Sequence, residues 1–246
     1  MTRDGSGIIY GRNAVKEALG SGVGIDKILI LKHIEGSGKQ IFAMAKEKGI
    51  PIRGVDRSVL DRVCAGGGHQ GVAAYATDFV YRTVDDILRI AGDRGEKPFV
   101  LILDGIEDPR NLGAIMRSAE GVGVHGILIP KRRAASVTDV AIKASAGAAL
   151  HMAVARVANI AGEMDFLKEE GLWIYGLDRD GSDYGAATYE GGLALAVGSE
   201  GRGLSRLVKE RCDFLLSIPM RGRVTSLNAS NAAAIAMFEI GRHLFA

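Results

Sequence analysis

Five apolar runs in the C-terminal part of this 246-residue chain lack the polar residue at every second position that a half-exposed strand carries. "FVLILD" begins at Phe99, "GILIP" at Gly126, "LWIYGLD" at Leu172, "LALAVG" at Leu193 and "FLLSIP" at Phe214. They alternate with stretches of helical spacing. Strands of that kind suit a parallel sheet covered on both faces, and such sheets hold ligands at the carboxyl ends of their strands. From Pro98 onward the expectation is therefore an α/β domain, 98–246.

The first third reads as a smaller α/β unit, 1–77. "NAVKEAL" (Asn13 to Leu19) has helical spacing, "KILILK" is strand-like, and "QIFAMAKEKG" is a helix ending at Gly49. "IPIRGV", a short helix, the glycine run "GGGHQG" and the strand "VAAYA" follow. Between the two lies a polar stretch, 78–97, in which "TVDDILRIAGDRGEK" reads as a short helix inside a linker.

Composition narrows the function classes. Cys64 and Cys212 stand alone, which excludes a C-x-x-C site and fits reduced thiols in a cytoplasmic protein. The five His show no ligand spacing, so no metal is expected. No apolar run reaches the roughly 18 residues that would span a bilayer, and the polar start, Met1 to Gly7, lacks a secretory h-region. Through Thr77 there are 11 Lys/Arg against 7 Asp/Glu, and beyond it 20 against 22. That small basic excess in the first third is compatible with a polyanion partner.

"GVGVHG" (Gly121 to Gly126) has the G-x-G-x-x-G spacing of a dinucleotide loop. Such a loop needs a strand before it and a helix after it. Here the order is reversed. Leu112, Ile115, Met116 and Ala119 form one apolar helical face upstream, and "ILIP" is a strand downstream. The glycines therefore end a helix and turn the chain into a strand. On the same helix Gly113 and Arg117 stack on a flank, with the glycine leaving room for another backbone or a ligand. Asn111, after Asp108-Pro109, sits where an N-cap is expected.

Two further clusters follow apolar strands. Gly198, Ser199, Glu200, Gly201 and Gly203 make a loop rich in accessible backbone groups with one carboxylate. Ser226, Leu227, Asn228, Ser230 and Asn231 precede the alanine-rich last helix (Ala232 to Phe245), and supply more polar groups than one N-cap requires.

Together, "DPRNLGAIMRSAEGVGVHGILIP", "LALAVGSEGRGLS" and "SIPMRGRVTSLNASNAAAIAMFE" resemble, in this order, the three motifs of the SpoU (TrmH-like) RNA ribose 2′-O-methyltransferases of the SPOUT superfamily. The resemblance covers essentially all of Pro98 to Ala246. "YGRNAVKEAL" and "GGGHQGVAA" resemble the L30e-like substrate-binding domain often fused ahead of it. The resemblance implies a parallel sheet with a C-terminal deep trefoil knot, a homodimer, and S-adenosylmethionine as cofactor.

It also implies roles for residues. Gly198, Ser199, Glu200, Gly201, Ile218, Met220 and Leu227 would bind the cofactor, with Ile218, Met220 and Leu227 flanking its adenine. Arg117, Asn111, Glu200, Ser226 and Asn228 would form the catalytic set, and Arg12, Arg110 and Arg117 would meet RNA. The two-domain form looks most like the bacterial enzymes that methylate a guanosine ribose in 23S rRNA. A tRNA guanosine 2′-O-methyltransferase, a thiostrepton-resistance-type enzyme acting on an rRNA adenosine, and a non-catalytic RNA-binding or ribosome-assembly factor are the alternatives.

Overall fold

The computed structural model describes residues 7–20, 24–32, 36–77, 79–223 and 226–245. Val224 and Thr225 of the third motif, and the start of the chain to Ser6, lie outside the described residues. The chain divides into two units, Met1–Val80 and Tyr81–Ala246.

In the first unit β1 (Ile8–Tyr10), α1 (Arg12–Gly20), β2 (Gly24–Leu31), α2 (Ser37–Glu47), β3 (Ile52–Val55), α3 (Arg57–Val63) and β4 (Val72–Thr77) follow in order. The sheet runs β1-β4-β2-β3. β4 is antiparallel to both β1 and β2, and β2 is parallel to β3. Neighbouring residues point to opposite faces, as the period of two requires. Ile9, Ile28 and Val72 pack on Val15, Leu19 and Ile41 of α1 and α2. Ile8, Leu29 and Ala73 pack on Leu60 of α3.

The second unit holds α4 (Val84–Arg94), β5 (Phe99–Asp104), α5 (Pro109–Val122), β6 (Gly126–Pro130), α6 (Asp139–Ala144), β7 (Ala153–Val157), α7 (Ile160–Glu169) and β8 (Leu172–Asp183). It continues with β9 (Gly192–Gly198), α8 (Arg206–Arg211), β10 (Phe214–Ser217) and α9 (Ala229–Leu244). Its six strands lie in the order β10-β8-β9-β5-β6-β7, and every pair is parallel. Both faces are covered. Val84 and Ile87 of α4, Ile160, Met164 and Leu167 of α7 and Val208 of α8 bury one face. α5 packs against α6 and α9 on the other side, and α9 reaches β9. This is why Phe99 to Leu103 are all fully buried and read as an unbroken apolar run.

Two sequence readings need amendment. The polar stretch expected as a linker contains α4, whose Ile87 is fully buried and packs against Gly126 at the start of β6. A side chain at Gly126 would overlap Ile87, so α4 is part of the second unit's core. β7, "AVARV", was not among the five expected strands. Its small alanines and Arg156 give it little apolar weight, although Val154 and Val157 are buried. The helix-to-strand reading of "GVGVHG" holds: α5 ends at Val122 and Gly123 caps it in the left-handed region (φ 94). Among the described residues no helix is long and apolar enough to cross a membrane.

Close helix contact makes one glycine testable. A Cβ on Gly113 of α5 would overlap the Ala141 carbonyl of α6, so Gly113→Ala is expected to lower stability by about 1–3 kcal/mol. Gly92 of α4 has open space where a Cβ would sit. Gly92→Ala is expected to raise stability by about 0.5–1 kcal/mol. Thermal melts of the two variants therefore move in opposite directions.

Candidate active site

The sheet's switch of direction puts β5 and β9 side by side at its centre. The chain leaves β5 toward β6 and β7, then returns on the other side of β5 through β8 and β9. Connections after β5 and β9 therefore diverge, and a crevice opens at their carboxyl ends. Asp104, the last residue of β5, holds the two exits together: its carboxylate accepts the Ser205 N–H at 2.6 Å.

A cavity of about 460 Å³ lies there, formed by the ends of β8 and β9, the segment after β10 and the start of α9. Gly198, Ser199, Glu200 and Gly201 line it, as do Ile218, Met220, Ser226 and Leu227. The glycine loop is a tight hairpin. Ser199 N–H donates to the Gly203 carbonyl at 3.2 Å, and Gly203 N–H returns a bond to Ser199 at 2.9 Å. Gly201 and Gly203 have φ of 79° and 67°, and a Cβ on Gly198 would overlap the backbone of Gly203. Glycine is thus required at Gly198 for close approach and at Gly201 for its backbone conformation.

Glu200 joins three segments that are far apart in sequence. Its Oε1 accepts from Asn111 Nδ2 (3.3 Å), from Asn228 Nδ2 and from the Ala229 N–H (3.3 Å). Asn228 Nδ2 also donates to Asn111 Oδ1 at 3.0 Å. The expectation that Asn111 caps its helix is not met, for a local reason. Asp108 is the N-cap, accepting the Arg110 N–H, and Pro109 occupies the first helical position. Asn111 is left free to reach Glu200. Asn228 does both jobs: it caps α9 through Ser230 N–H at 2.9 Å and bonds Asn111 and Glu200 through its amide nitrogen. The Glu200 carboxylate thereby sits at the amino end of α9, where the helix dipole favours negative charge.

Arg117 behaves differently. It is exposed on α5, and no side-chain partner holds it among the described residues. The space that Gly113 leaves on the same flank is filled by α6 rather than by a ligand. Arg110 is likewise exposed near the start of α5. Arg12 belongs to the first unit and is engaged there. Its N–H and Nε bond the Gln70 side-chain and main-chain oxygens at 3.1 and 3.0 Å, and Nη1 reaches Ser37 at 3.4 Å. The two N-terminal segments singled out in the sequence thus touch through Arg12 and Gln70.

The sequence reading missed part of the cavity wall. Leu177, Asp178, Arg179, Asp180 and, from α8, Lys209 also line it. They are there because β8 pairs with β10 in two pieces: Gly176 lies opposite Leu215, and Ser182 opposite Leu216. Residues 177–181 bulge out of the ladder between them. The Lys209 ammonium bonds Asp178 at 2.9 Å and Asp180 at 3.1 Å. Burial pushes the Asp178 carboxyl up, but the Asp180 N–H and Lys209 outweigh it and hold it below the usual carboxylate range. The signal in the sequence was "LDRDG" directly after an apolar strand.

This geometry agrees with the comparisons to known proteins. Residues 98–238 match the SpoU rRNA Methylase family, and residues 8–82 match the family described as RNA 2′-O ribose methyltransferase substrate binding. The chain belongs to the SpoU rRNA Methylase family, a class of RNA methyltransferases. A Bacillus subtilis (strain 168) protein, YacO, named for the TrmH family of tRNA/rRNA methyltransferases, is 46% identical over 236 residues, covering 95% of this chain and 94% of its own. Among solved structures, the SpoU methyltransferase AviRb of Streptomyces viridochromogenes in complex with AdoMet aligns at TM-score 0.61 and 24% identity, covering 96% of this chain and 89% of that one. An AdoMet-bound rRNA methyltransferase of Sinorhizobium meliloti aligns at TM-score 0.59 and 24% identity, covering 97% and 88%. These two likenesses bear on the fold.

Neither cysteine is placed for nucleophilic work. Burial pushes the Cys212 thiol up to about 12, and burial followed by Asp61 raises Cys64. Both thiols are therefore protonated at pH 8. A disulfide-exchange reagent at that pH is expected to titrate them slowly in the folded chain and rapidly after unfolding.

Proposed function

We propose that this chain transfers a methyl group from S-adenosylmethionine to the ribose 2′-hydroxyl of a guanosine in 23S rRNA. The observation that carries the reading is the bonding of Asn111, Glu200 and Asn228 beside a glycine-walled cavity at the carboxyl edge of a parallel sheet. The residues fit the cofactor. A volume of about 460 Å³ is within the range of small-molecule sites. Ile218, Met220 and Leu227 offer an apolar wall to the adenine, and the Gly198–Gly201 hairpin offers backbone groups to the remainder. When bound, S-adenosylmethionine supplies an electrophilic methyl group on a sulfonium.

The chain's own groups do the positioning. Asn111 and Asn228 fix the Glu200 carboxylate, and Ser226 on the cavity wall is within the same group of catalytic candidates. Arg117 stands on α5, the helix whose first turn bonds Glu200. A guanidinium holds its proton too firmly to act as a base. In this reading Arg117 clamps an RNA phosphate and orients the 2′-hydroxyl, and loss of the hydroxyl proton is assisted by that phosphate. Arg110 extends the same contact.

The finer architecture is part of the proposal. The first 77 residues form an L30e-like substrate-binding domain, in which Arg12 orders the Gln70 loop that meets RNA. Residues 98–246, with α4 added to their core, form the methyltransferase domain, and the chain after β10 is threaded into a trefoil knot. Ile235 and Phe238 of α9 and Phe245, which caps it, are 37, 56 and 38% exposed. Together with an Arg117 that has no side-chain partner among the described residues, that apolar stripe supports a homodimer in which two copies complete each site.

Incubation with labelled S-adenosylmethionine and separate rRNA and tRNA pools, followed by nucleotide mapping, tests the reading. Label is expected as 2′-O-methylguanosine in 23S rRNA. Label in tRNA instead would transfer the reading to that substrate, and no transfer to either pool would overturn it. Arg117→Lys is expected to lower turnover by about 10²-fold, since lysine cannot make the bidentate clamp, with cofactor affinity unchanged.

A further inference from the structure

Twelve of the second unit's fifteen arginines fall into two groups; the others are Arg82, exposed before α4, Arg156, which bonds Ser136, and Arg179, 3.9 Å from Asp180. Those on α4, α8 and α9 are paired: Arg89 with Asp86, Arg94 with Glu96, Arg206 with Glu210, Arg211 with Asp165 and Arg242 with Glu239. Those in the connections that leave the carboxyl ends of the strands are not. Arg110 and Arg117 follow β5, Arg132 and Arg133 follow β6, Arg202 follows β9, and Arg221 and Arg223 follow β10. All seven are exposed, and among the described residues none of their side chains has a hydrogen bond or an ion pair. Unpaired guanidinium groups gathered at one edge of a sheet raise the local positive potential in a chain whose net charge is only +2.

The connection after β6 presents its two arginines on a pinned backbone. Lys131 N–H donates to the Val157 carbonyl at 2.8 Å, Ala135 N–H to the Ile106 carbonyl at 2.7 Å, and Val137 N–H to the Tyr81 hydroxyl at 3.0 Å. The bond to Ile106 ties this connection to the one between β5 and α5, which leads to Asn111 and Arg117. Between the pins Arg133 adopts φ 55, a left-handed conformation uncommon for a residue with a side chain. The loop is thus held in place while its two guanidinium groups face solvent, so little ordering remains to be done when an anion binds.

We propose that Arg132 and Arg133 form a phosphate-binding element that continues the RNA track beyond Arg110 and Arg117, on the side of the sheet away from the cofactor cavity's walls. The inference rests on the RNA methyltransferase reading and adds where the substrate's backbone lies. Arginine suits it, because the planar fork meets phosphate oxygens two at a time and stays charged. The partner is RNA rather than an acidic protein because the chain belongs to an RNA methylase family and the unpaired guanidinium groups flank its candidate site.

The salt dependence of RNA binding reads this element directly. The full chain would be titrated with single-stranded poly(U) RNA across roughly 50–200 mM salt, where each phosphate contact contributes about 0.7 to the slope of log K against log salt. Arg132→Gln/Arg133→Gln is expected to reduce the slope by about 1.4, with S-adenosylmethionine affinity and the melting temperature unchanged. Arg89→Gln/Arg242→Gln, which removes the same charge from paired positions, is expected to leave the slope as it is. A steep wild-type slope that the Arg132→Gln/Arg133→Gln variant retains would overturn the phosphate element and leave the methyltransferase reading intact. A slope lost equally in both variants would also overturn it, as an effect of net charge alone. No RNA binding by the wild type would overturn both.

Discussion

One carboxylate oxygen organises the carboxyl edge of this sheet. Glu200 Oε1 accepts from Asn111, Asn228 and the Ala229 N–H, and those groups come from α5, the segment before α9 and α9 itself. One carboxylate thus brings together stretches far apart in sequence: α5 carries Arg117, the loop after β9 walls the candidate cavity, and Asn228 caps the last helix.

At the cavity and in the helix layer beside the sheet, backbone comes unusually close to its neighbours. Gly198 lets the end of β9 fold against Gly203, Gly113 lets α6 approach α5, and Gly181 lets β8 rejoin β10 after its bulge, where a Cβ would overlap Leu215 and Leu216. The bulge turns Asp178 and Asp180 toward Lys209 and completes the wall. Strand geometry and site geometry are the same fact here, since the break in the ladder is what exposes those side chains.

Much of this was legible because it depends on local pattern. The unbroken apolar runs located β5, β6, β8, β9 and β10, and the spacing of Leu112, Ile115, Met116 and Ala119 located α5 with its buried face. The order of helix before strand disposed of the dinucleotide reading of "GVGVHG". Other parts depend on pairing between distant segments and leave little local trace. β7 is carried by small residues, α4 looks polar because only Val84, Ile87 and Ala91 are buried, and the bulge that brings Asp178 into the wall is a property of the β8–β10 register. Asn111 was read as a cap because the residues around it suit one, and Asp108 with Pro109 fills that role instead. Through the three-motif resemblance the sequence named Gly198 to Gly201, Ile218, Met220, Ser226 and Leu227, which line the cavity, and Asn111 and Asn228, which bond Glu200, but not the wall from β8 and α8. What that could not convey is which of them touch: Asn111, Glu200 and Asn228 form one hydrogen-bonded group, and Arg117 stands apart.

The central claim is that the hairpin after β9, the segment after β10 and the start of α9 act together as one cofactor site. Hydrogen–deuterium exchange of the full chain, with and without S-adenosylmethionine, tests it most directly. Protection is expected in 198–204 and in 218–232 at the same ligand concentration, with 121–126 unaffected. Protection centred on 121–126, or binding that protects neither of the two cavity segments, would contradict the account.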